Sequence, residues 1–481
     1  MMINGRRVVH ILGLVLLLVA GAELLSAAWC FAPGGAGAAP GLLGSAGLTA
    51  FVGAALRWIG SSHGDLRRRD GVLIVVGSWV VASVAGALPY IATGVTPHAM
   101  DALFESVSGF TTTGASILGD IDGVSHPILF WRSFTQWLGG IGIVVIFVAL
   151  LSELGPGARF LFKLEVPGPK AEVLHAHVRE TAVAVARIYV GLSLAQLFLM
   201  LLFGLDLFDA ITHTFATVST GGFSPHGDSI AHFSAPVQLV MTVFMLAAGL
   251  NFSLYYAFFR TRDVGSFRTA EVRVYLLLIA AASLVVLADL IRHGNDPLSG
   301  AIESIFQVVS VLTTTGFATA NFDEWPGLSR ALLVALMVSG GCAGSTAGGV
   351  KIVRLIIGWK AAMREIRLTV NPNAVIAVAV DKTAVPEESI RGVLTLLILW
   401  VAAWGVGAIL LSVGDTGIVT AATASIATLS NIGPGLAAVG PDSNFAFFAG
   451  WQKAVMVLLM WLGRLEFFAM IALLQPTFWR R

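Results

Sequence analysis

The chain has 481 residues, 56% hydrophobic and 12% charged, with 53 glycines and a formal net charge of +1. Its apolar runs reach the about 20 residues needed to cross a bilayer, which excludes a soluble enzyme and points to a polytopic membrane protein. The net charge gives no bulk reason to bind nucleic acid, and the two cysteines, Cys30 and Cys342, lie in apolar or glycine-rich stretches that argue against a disulfide or zinc site.

Arg6 and Arg7 precede an apolar run from Val8 to Phe31. It is long for the apolar core of a signal peptide, and a second span follows closely. Helices over 8–31 and 42–60 are therefore predicted as an N-terminal transmembrane hairpin, residues 1–65. Four units follow, over 66–170, 171–265, 266–380 and 381–481. Their predicted outer and inner helices lie near 71–91 and 127–152, 180–205 and 236–259, 272–291 and 327–366, and 391–413 and 445–474. Each unit also carries a short re-entrant half-helix, the first near 100–111. The expected fold is all-α, with membrane-pore-membrane repeats around a pseudo-four-fold pore.

Each unit carries one short stretch ahead of its inner helix. It reads Thr112-Thr113-Gly114, then Ser219-Thr220-Gly221, then Thr314-Thr315-Gly316, and in weaker form Asn431-Ile432-Gly433. The glycines are 107, 95 and 117 residues apart. A cation inside a membrane needs oxygen ligands in place of water, and rings of backbone carbonyls supply them. Glycine tolerates the φ/ψ values that aim successive carbonyls one way, and threonine adds hydroxyls. A single copy would be explained by helix packing, where small residues are common. Four copies at matched places read as an ion filter. Each half-helix ends at its copy, so its negative dipole end faces the axis and favours a cation. Non-helical backbone at this depth survives only where protein or water covers it.

The third inner helix would run from Gly327 to Arg367, roughly 60 Å at 1.5 Å per residue, against a hydrocarbon core of about 30 Å. Its break is Gly340-Gly341-Cys342-Ala343-Gly344-Ser345-Thr346-Ala347-Gly348-Gly349, too rich in glycine to hold a helix. It is no phosphate loop, because Val350-Lys351 follows Gly349. An intramembrane gate built from Gly340, Gly341, Gly344, Ser345, Thr346, Gly348 and Gly349 is favoured over a flexible cytoplasmic connector. Arg464, in the last inner helix, is costly in lipid and suits a role in permeation or gating. The alternatives are snorkelling or pairing with Glu466, which i,i+2 spacing disfavours. Glu105 and Glu303, on the first and third half-helices, are expected to hydrogen-bond to loop backbone. His98, His126, His213, His226 and His232 fall mostly at loop edges without metal-ligand spacing, which leaves an embedded enzyme without a constellation.

Arg6, Arg7, Arg67 to Arg69, Arg159, Lys163, Lys170, Arg260, Arg262, Arg268, Arg273 and a cluster from Lys351 to Lys382 are assigned to the cytoplasm. Asp120, Asp122, Asp228, Asp323, Glu324 and Asp442 follow the four copies. The positive-inside rule then puts both termini in the cytoplasm. The acids either concentrate cations at an outer mouth or are plain solvated loop residues. An alternating-access transporter would show inverted repeats and paired broken helices. Here the units run in one orientation and one helix reads as broken, which favours a gated pore. Lys351, Arg354, Lys360, Arg364 and Arg367 join that break to exposed charge, suiting either a cytoplasmic regulator or anionic lipid.

The four copies, the glycine-rich break and Trp461-Leu462-Gly463-Arg464-Leu465-Glu466 together resemble the Trk/Ktr/HKT superfamily of potassium transporters over essentially the whole chain. The N-terminal hairpin resembles the TrkH branch of that superfamily over the shorter KtrB branch. The resemblance implies a potassium-selective uptake pore in the cell (inner) membrane and a homodimer embedded in lipid. It also implies a cytoplasmic NAD- or ATP-binding regulatory subunit similar to TrkA. K+ would be the transported ion, with no organic cofactor in this chain. Gly114 stands where sodium-permeant relatives can carry serine, which implies preference for potassium. Coupling to protons or sodium, as a symporter, is the alternative.

Overall fold

The computed structural model describes residues 3–32, 35–64, 66–153 and 178–480, without the side chains of 68, 143–153 and 178–182. Arg159, Lys163 and Lys170, used above for orientation, lie outside the described residues. Helices α1 (Gly5–Ala27) and α2 (Ala39–Ile59) form the N-terminal hairpin. A Cβ on Gly13 would lie 2.6 Å from the carbonyl oxygen of Gly53, the close backbone approach that small residues allow between membrane helices.

Next come α3 (Arg68–Ala92), the short α4 (Ala99–Phe110) and α5 (His126–Glu153). They are followed by α6 (Val178–Leu202), the short α7 (Leu207–Val218), and α8 (Ala235–Ala248) with α9 (Phe252–Thr261). Then α10 (Ala270–Arg292) leads to the short α11 (Pro297–Leu312), and α12 (Gly327–Leu336) to α13 (Ile352–Val370). A two-stranded antiparallel hairpin, β1 (Ala379–Val380) with β2 (Thr383–Ala384), precedes the rest. These are α14 (Glu387–Leu411), the short α15 (Ile418–Leu429), and α16 (Gly450–Arg464) with α17 (Phe468–Leu474).

Among the described residues, six helices are long and apolar enough to cross a membrane, and two bent pairs raise that to eight. The outer helix α10 turns Leu276, Leu277 and Leu284 outward, as expected of a helix whose surroundings are hydrocarbon. The short helices are buried along most of their length. Aspartates start two of them. Asp206 accepts from Asp209 N at 2.8 Å, and Asp296 accepts from Leu298 N and Ser299 N at 3.0 Å, satisfying N–H groups that have no helical partner.

Among the described residues three inner helices are broken, where the sequence pointed to one. Besides the gap between α12 and α13, α8 meets α9 at 87° and α16 meets α17 at 118°. At the first bend Asn251 Oδ1 accepts from Ser253 N at 2.8 Å and caps α9. The second bend falls on Glu466 and Phe467, at φ 53° and 64°, sparsely populated backbone that costs about 1–3 kcal/mol per residue. No glycine or proline announces it; the Glu466 carboxylate is held by the Arg354 guanidinium of α13. The basic cluster also changes meaning. Lys351 and Arg354 are buried, Arg364 pairs with Glu387, and Lys360 and Arg367 remain exposed.

Candidate functional site

The short helices all end in the same turn. Thr112 has φ 53° and Thr113 N donates to Ser108 O at 2.8 Å. Thr314 has φ 57° with Thr315 N on Ser310 O at 2.8 Å, and Asn431 has φ 56° with Ile432 N on Ala427 O at 2.9 Å. This is the closure of a helix on a left-handed residue. In the second copy the left-handed residue is Thr220, at 54°, and Gly221 N donates to Ala216 O at 2.7 Å. The glycines at positive φ are Gly114, Gly222, Gly316 and Gly433, at 80°, 78°, 81° and 104°. The second copy is therefore Thr220-Gly221-Gly222, one residue later than the expected Ser219-Thr220-Gly221. Ser219 takes the place of Thr111 at the helix end. Adjacent glycines hide that phase in the sequence, and only the backbone reveals it.

A β-branched residue rarely adopts positive φ, and holding it there costs about 1–3 kcal/mol. Three threonines do so at the matched position. Asparagine tolerates this region far better, so Asn431 diverges in letters while keeping the conformation.

The four loops close into a ring. A β-carbon added to Gly114 would overlap the carbonyl oxygen of Gly221, one on Gly222 that of Thr315, and one on Gly316 that of Ile432. One on Gly433 would lie 3.0 Å from the Thr113 carbonyl oxygen, which returns to the first loop. The Thr113 hydroxyl turns aside to within 2.7 Å of Thr111 Oγ1, and that of Thr315 to within 2.8 Å of Thr313 Oγ1. Backbone carbonyls are therefore what the ring gathers at these positions. Asn431 Nδ2 donates to Thr113 Oγ1 at 2.9 Å and ties the fourth loop to the first. Among the described residues, no group of three or more His, Cys, Asp or Glu could hold a metal ion; the oxygens on offer are carbonyls and hydroxyls. Gly222→Ala should abolish ion flux, whereas Gly221→Ala, whose β-carbon would meet the Gln136 side chain and not backbone, should reduce it less. Liposome flux assays of both variants check this, and the opposite ranking would restore the earlier register.

A buried ion pair braces the ring from behind. Glu105 accepts from Ile117 N at 3.0 Å and from Arg132 Nε at 2.8 Å. Arg132 Nη1 donates to Ser224 O at 3.0 Å, and its guanidinium lies 4.1 Å from the Phe223 ring centre, so it joins the first loop to the second. Removing one partner of such a pair costs about 3–5 kcal/mol. Glu105 thus bonds to loop backbone as expected, but Glu303 is only half-buried. The counterpart of Glu105 in the third unit is Gln307, whose Nε2 donates to Phe317 O at 3.2 Å. In the second unit it is His213, fully buried inside α7 and not at a loop edge, with Nε2 3.2 Å from Ser224 Oγ. Counting seven residues back from each left-handed threonine finds both.

A cavity of about 130 Å³ opens on the ring, lined by all four positive-φ glycines together with Arg132, His226 and Asp442. Asp442 alone of the six acids named above lines it. Asp120 accepts from Gly123 N at 3.1 Å and Asp228 pairs with His232 at 2.8 Å, which makes them loop-fastening residues. The hydrogen bond to Asp209 raises His226 above the ordinary imidazole range.

The segment between α12 and α13 packs against the same ring. Gly348 N donates to Thr314 Oγ1 at 2.6 Å, and Thr346 Oγ1 to Val218 O at 3.2 Å. Cys342 N donates to Gly249 O at 2.8 Å and Phe252 N to Gly344 O at 3.1 Å, so the bend of α8 and α9 grips the loop. Arg464 is buried at the end of α16, donating from Nη1 to Thr346 O at 2.7 Å and from Nη2 to Gly139 O at 3.4 Å. It is buried and does not snorkel, and the Glu466 carboxylate is held by Arg354. Gly340, Gly341, Ser345, Thr346 and Gly348 are buried, with Gly344 and Gly349 half-buried. A neck formed by Gly340 N on Val350 O at 2.8 Å and Val350 N on Val338 O at 3.1 Å closes the loop. It is a buried, hydrogen-bonded element, unlike a solvated connector.

The chain matches the family model TrkH, described as a cation transport protein, over residues 45–480. It is 38% identical over 444 residues to the Trk system potassium uptake protein TrkH of Halomonas elongata, covering 90% of this chain and 91% of that protein. The TrkH protein of Escherichia coli K12 is 38% identical over 441 residues, covering 89% of this chain and 90% of its own length. The crystal structure of the potassium transporter TrkH from Vibrio parahaemolyticus superposes with a TM-score of 0.90 at 34% identity, covering 99% of this chain and 100% of that one. The chain therefore belongs to the TrkH family of cation transport proteins.

Proposed function

We propose that the chain takes potassium into the cell through the ring of four loops, with the glycine loop as its gate. The ring closure carries this reading, because each loop's glycine abuts the next loop's carbonyl and the last returns to the first. Potassium is supported by relatives named as potassium uptake proteins and by glycine at position 114. The filter residues are Thr112 to Gly114, Thr220 to Gly222, Thr314 to Gly316 and Asn431 to Gly433, one in each membrane-pore-membrane unit. The Lys and Arg distribution supports placing the ring's cavity outside and both termini in the cytoplasm. Arg464 sets a positive charge beside the loop, where low dielectric raises the barrier to a cation. Family membership, and not a missing cluster, sets aside an embedded enzyme.

Control falls to a cytoplasmic nucleotide-binding subunit similar to TrkA, engaging the exposed face around Lys360, Arg367 and the β1–β2 hairpin of a homodimer. A coupled symporter is the second reading, since the bends at α8/α9 and α16/α17 approach the discontinuous helices of such transporters. Purified chain in liposomes, with potassium, sodium and pH gradients set independently, separates the two. A gated pore gives potassium flux down its own gradient whatever the other gradients, and the nucleotide-loaded partner increases it. Potassium accumulating uphill on an imposed proton or sodium gradient would establish the symporter instead.

A further inference from the structure

Glu271 stands in the first turn of the outer helix α10. Its Oε1 accepts from Ala343 N at 2.7 Å and from Val353 N at 3.2 Å. Ala343 lies in the first half of the glycine loop and Val353 in the first turn of α13, so one oxygen fastens both sides of the loop's base. The site suits an anion twice over. The first N–H groups of a helix lack helical acceptors, and the helix N-terminus favours negative charge. Lys351 and Arg354 bring positive charge to the same base, where Glu466 is committed to Arg354. The end of α10 is itself held from the cytoplasmic side. Ala270 N donates to Asp381 Oδ1 at 2.8 Å, in the turn between β1 and β2, and Lys360 Nζ of α13 donates to Ala379 O at 2.7 Å. Movement of that turn, whose Asp381 and Lys382 are exposed, therefore acts on the residue next to Glu271.

We propose that Glu271 is a positioning residue of the closed gate, a latch whose carboxylate holds Ala343 to Val353 and keeps the loop against the ring. This rests on the reading of the loop as a gate. Glu271→Gln preserves the shape and an acceptor oxygen but removes the charge, and hydrogen bonds to a charged acceptor are about twice as strong as neutral ones. The expected gain in open state is about tenfold, the equivalent of about 1.4 kcal/mol.

Two readouts test it in the full-length chain reconstituted in liposomes. One is potassium efflux. The other uses the chain's own thiols, since Cys342 is fully buried beside Ala343 while Cys30 is buried in the N-terminal region, outside the loop. Glu271→Gln should speed both efflux and the labelling of Cys342 by a membrane-impermeant thiol reagent about tenfold, leaving Cys30 unchanged. Combined with deletion of residues 344–348, it should add nothing to the efflux of the deletion alone. Faster labelling of both cysteines would mark Glu271 as a general stabiliser and overturn the latch. Unchanged labelling and efflux in Glu271→Gln, with efflux raised by the deletion, would overturn the latch and leave the gate. If the deletion itself leaves efflux unchanged, the gate falls and the latch with it.

Discussion

Gly114→Ser is expected to cut the potassium-over-sodium ratio by about tenfold or more, a difference of about 1.4 kcal/mol or more in discrimination. Gly114 sits at φ 80°, where a side chain costs about 1–2 kcal/mol. The added β-carbon would overlap the carbonyl oxygen of Gly221. Relief requires moving that carbonyl, which Gln136 Nε2 also holds at 2.6 Å. A ring that replaces water around one ion depends on where its carbonyls stand, so displacing one degrades discrimination before it abolishes conduction. Gly433→Ser should be milder, because its β-carbon would lie 3.0 Å from the Thr113 carbonyl. Bi-ionic flux in liposomes measures both. Equal ratios in Gly114→Ser and parent would remove Gly114 from the filter.

Deleting Gly344 to Gly348 should raise basal flux more than tenfold. The deletion removes the bond from Gly348 to Thr314, both bonds from Thr346, and the carbonyl that Arg464 engages. Each such bond is worth about 0.5–1.5 kcal/mol, and together they exceed the 1.4 kcal/mol of a tenfold shift. Normal membrane insertion with flux unchanged or reduced would make the loop a brace between units, not a gate.

Much of this architecture could be read from the letters, for physical reasons. Lengths of apolar chain located the helices, and glycine density located the interruption between α12 and α13. Phase was harder. In Ser219-Thr220-Gly221-Gly222 two registers fit the composition, and the difference lies in which residue turns left-handed. The bend at Glu466 and Phe467 was invisible because neither residue breaks helices by itself; a partner 112 positions away, Arg354, holds it. Arg464 was singled out by the cost of burying its charge, but its acceptor at Thr346 belongs to another unit. Glu303 misled because it is a carboxylate on a half-helix, whereas the position that matters is set by distance from the turn and holds Gln307.

Among the described residues the glycine loop occurs in the third unit alone, yet it meets the end of α7, the Thr314 hydroxyl and, through Arg464, both α16 and the Gly139 carbonyl of α5. Four identical subunits around one axis would each carry such an insertion, and four copies would compete for space that holds one. Joining the units covalently lets one unit carry such a loop without the others. On the proposed reading of the ring as pore and the loop as its gate, one polypeptide carries both, so their ratio is set without an assembly step.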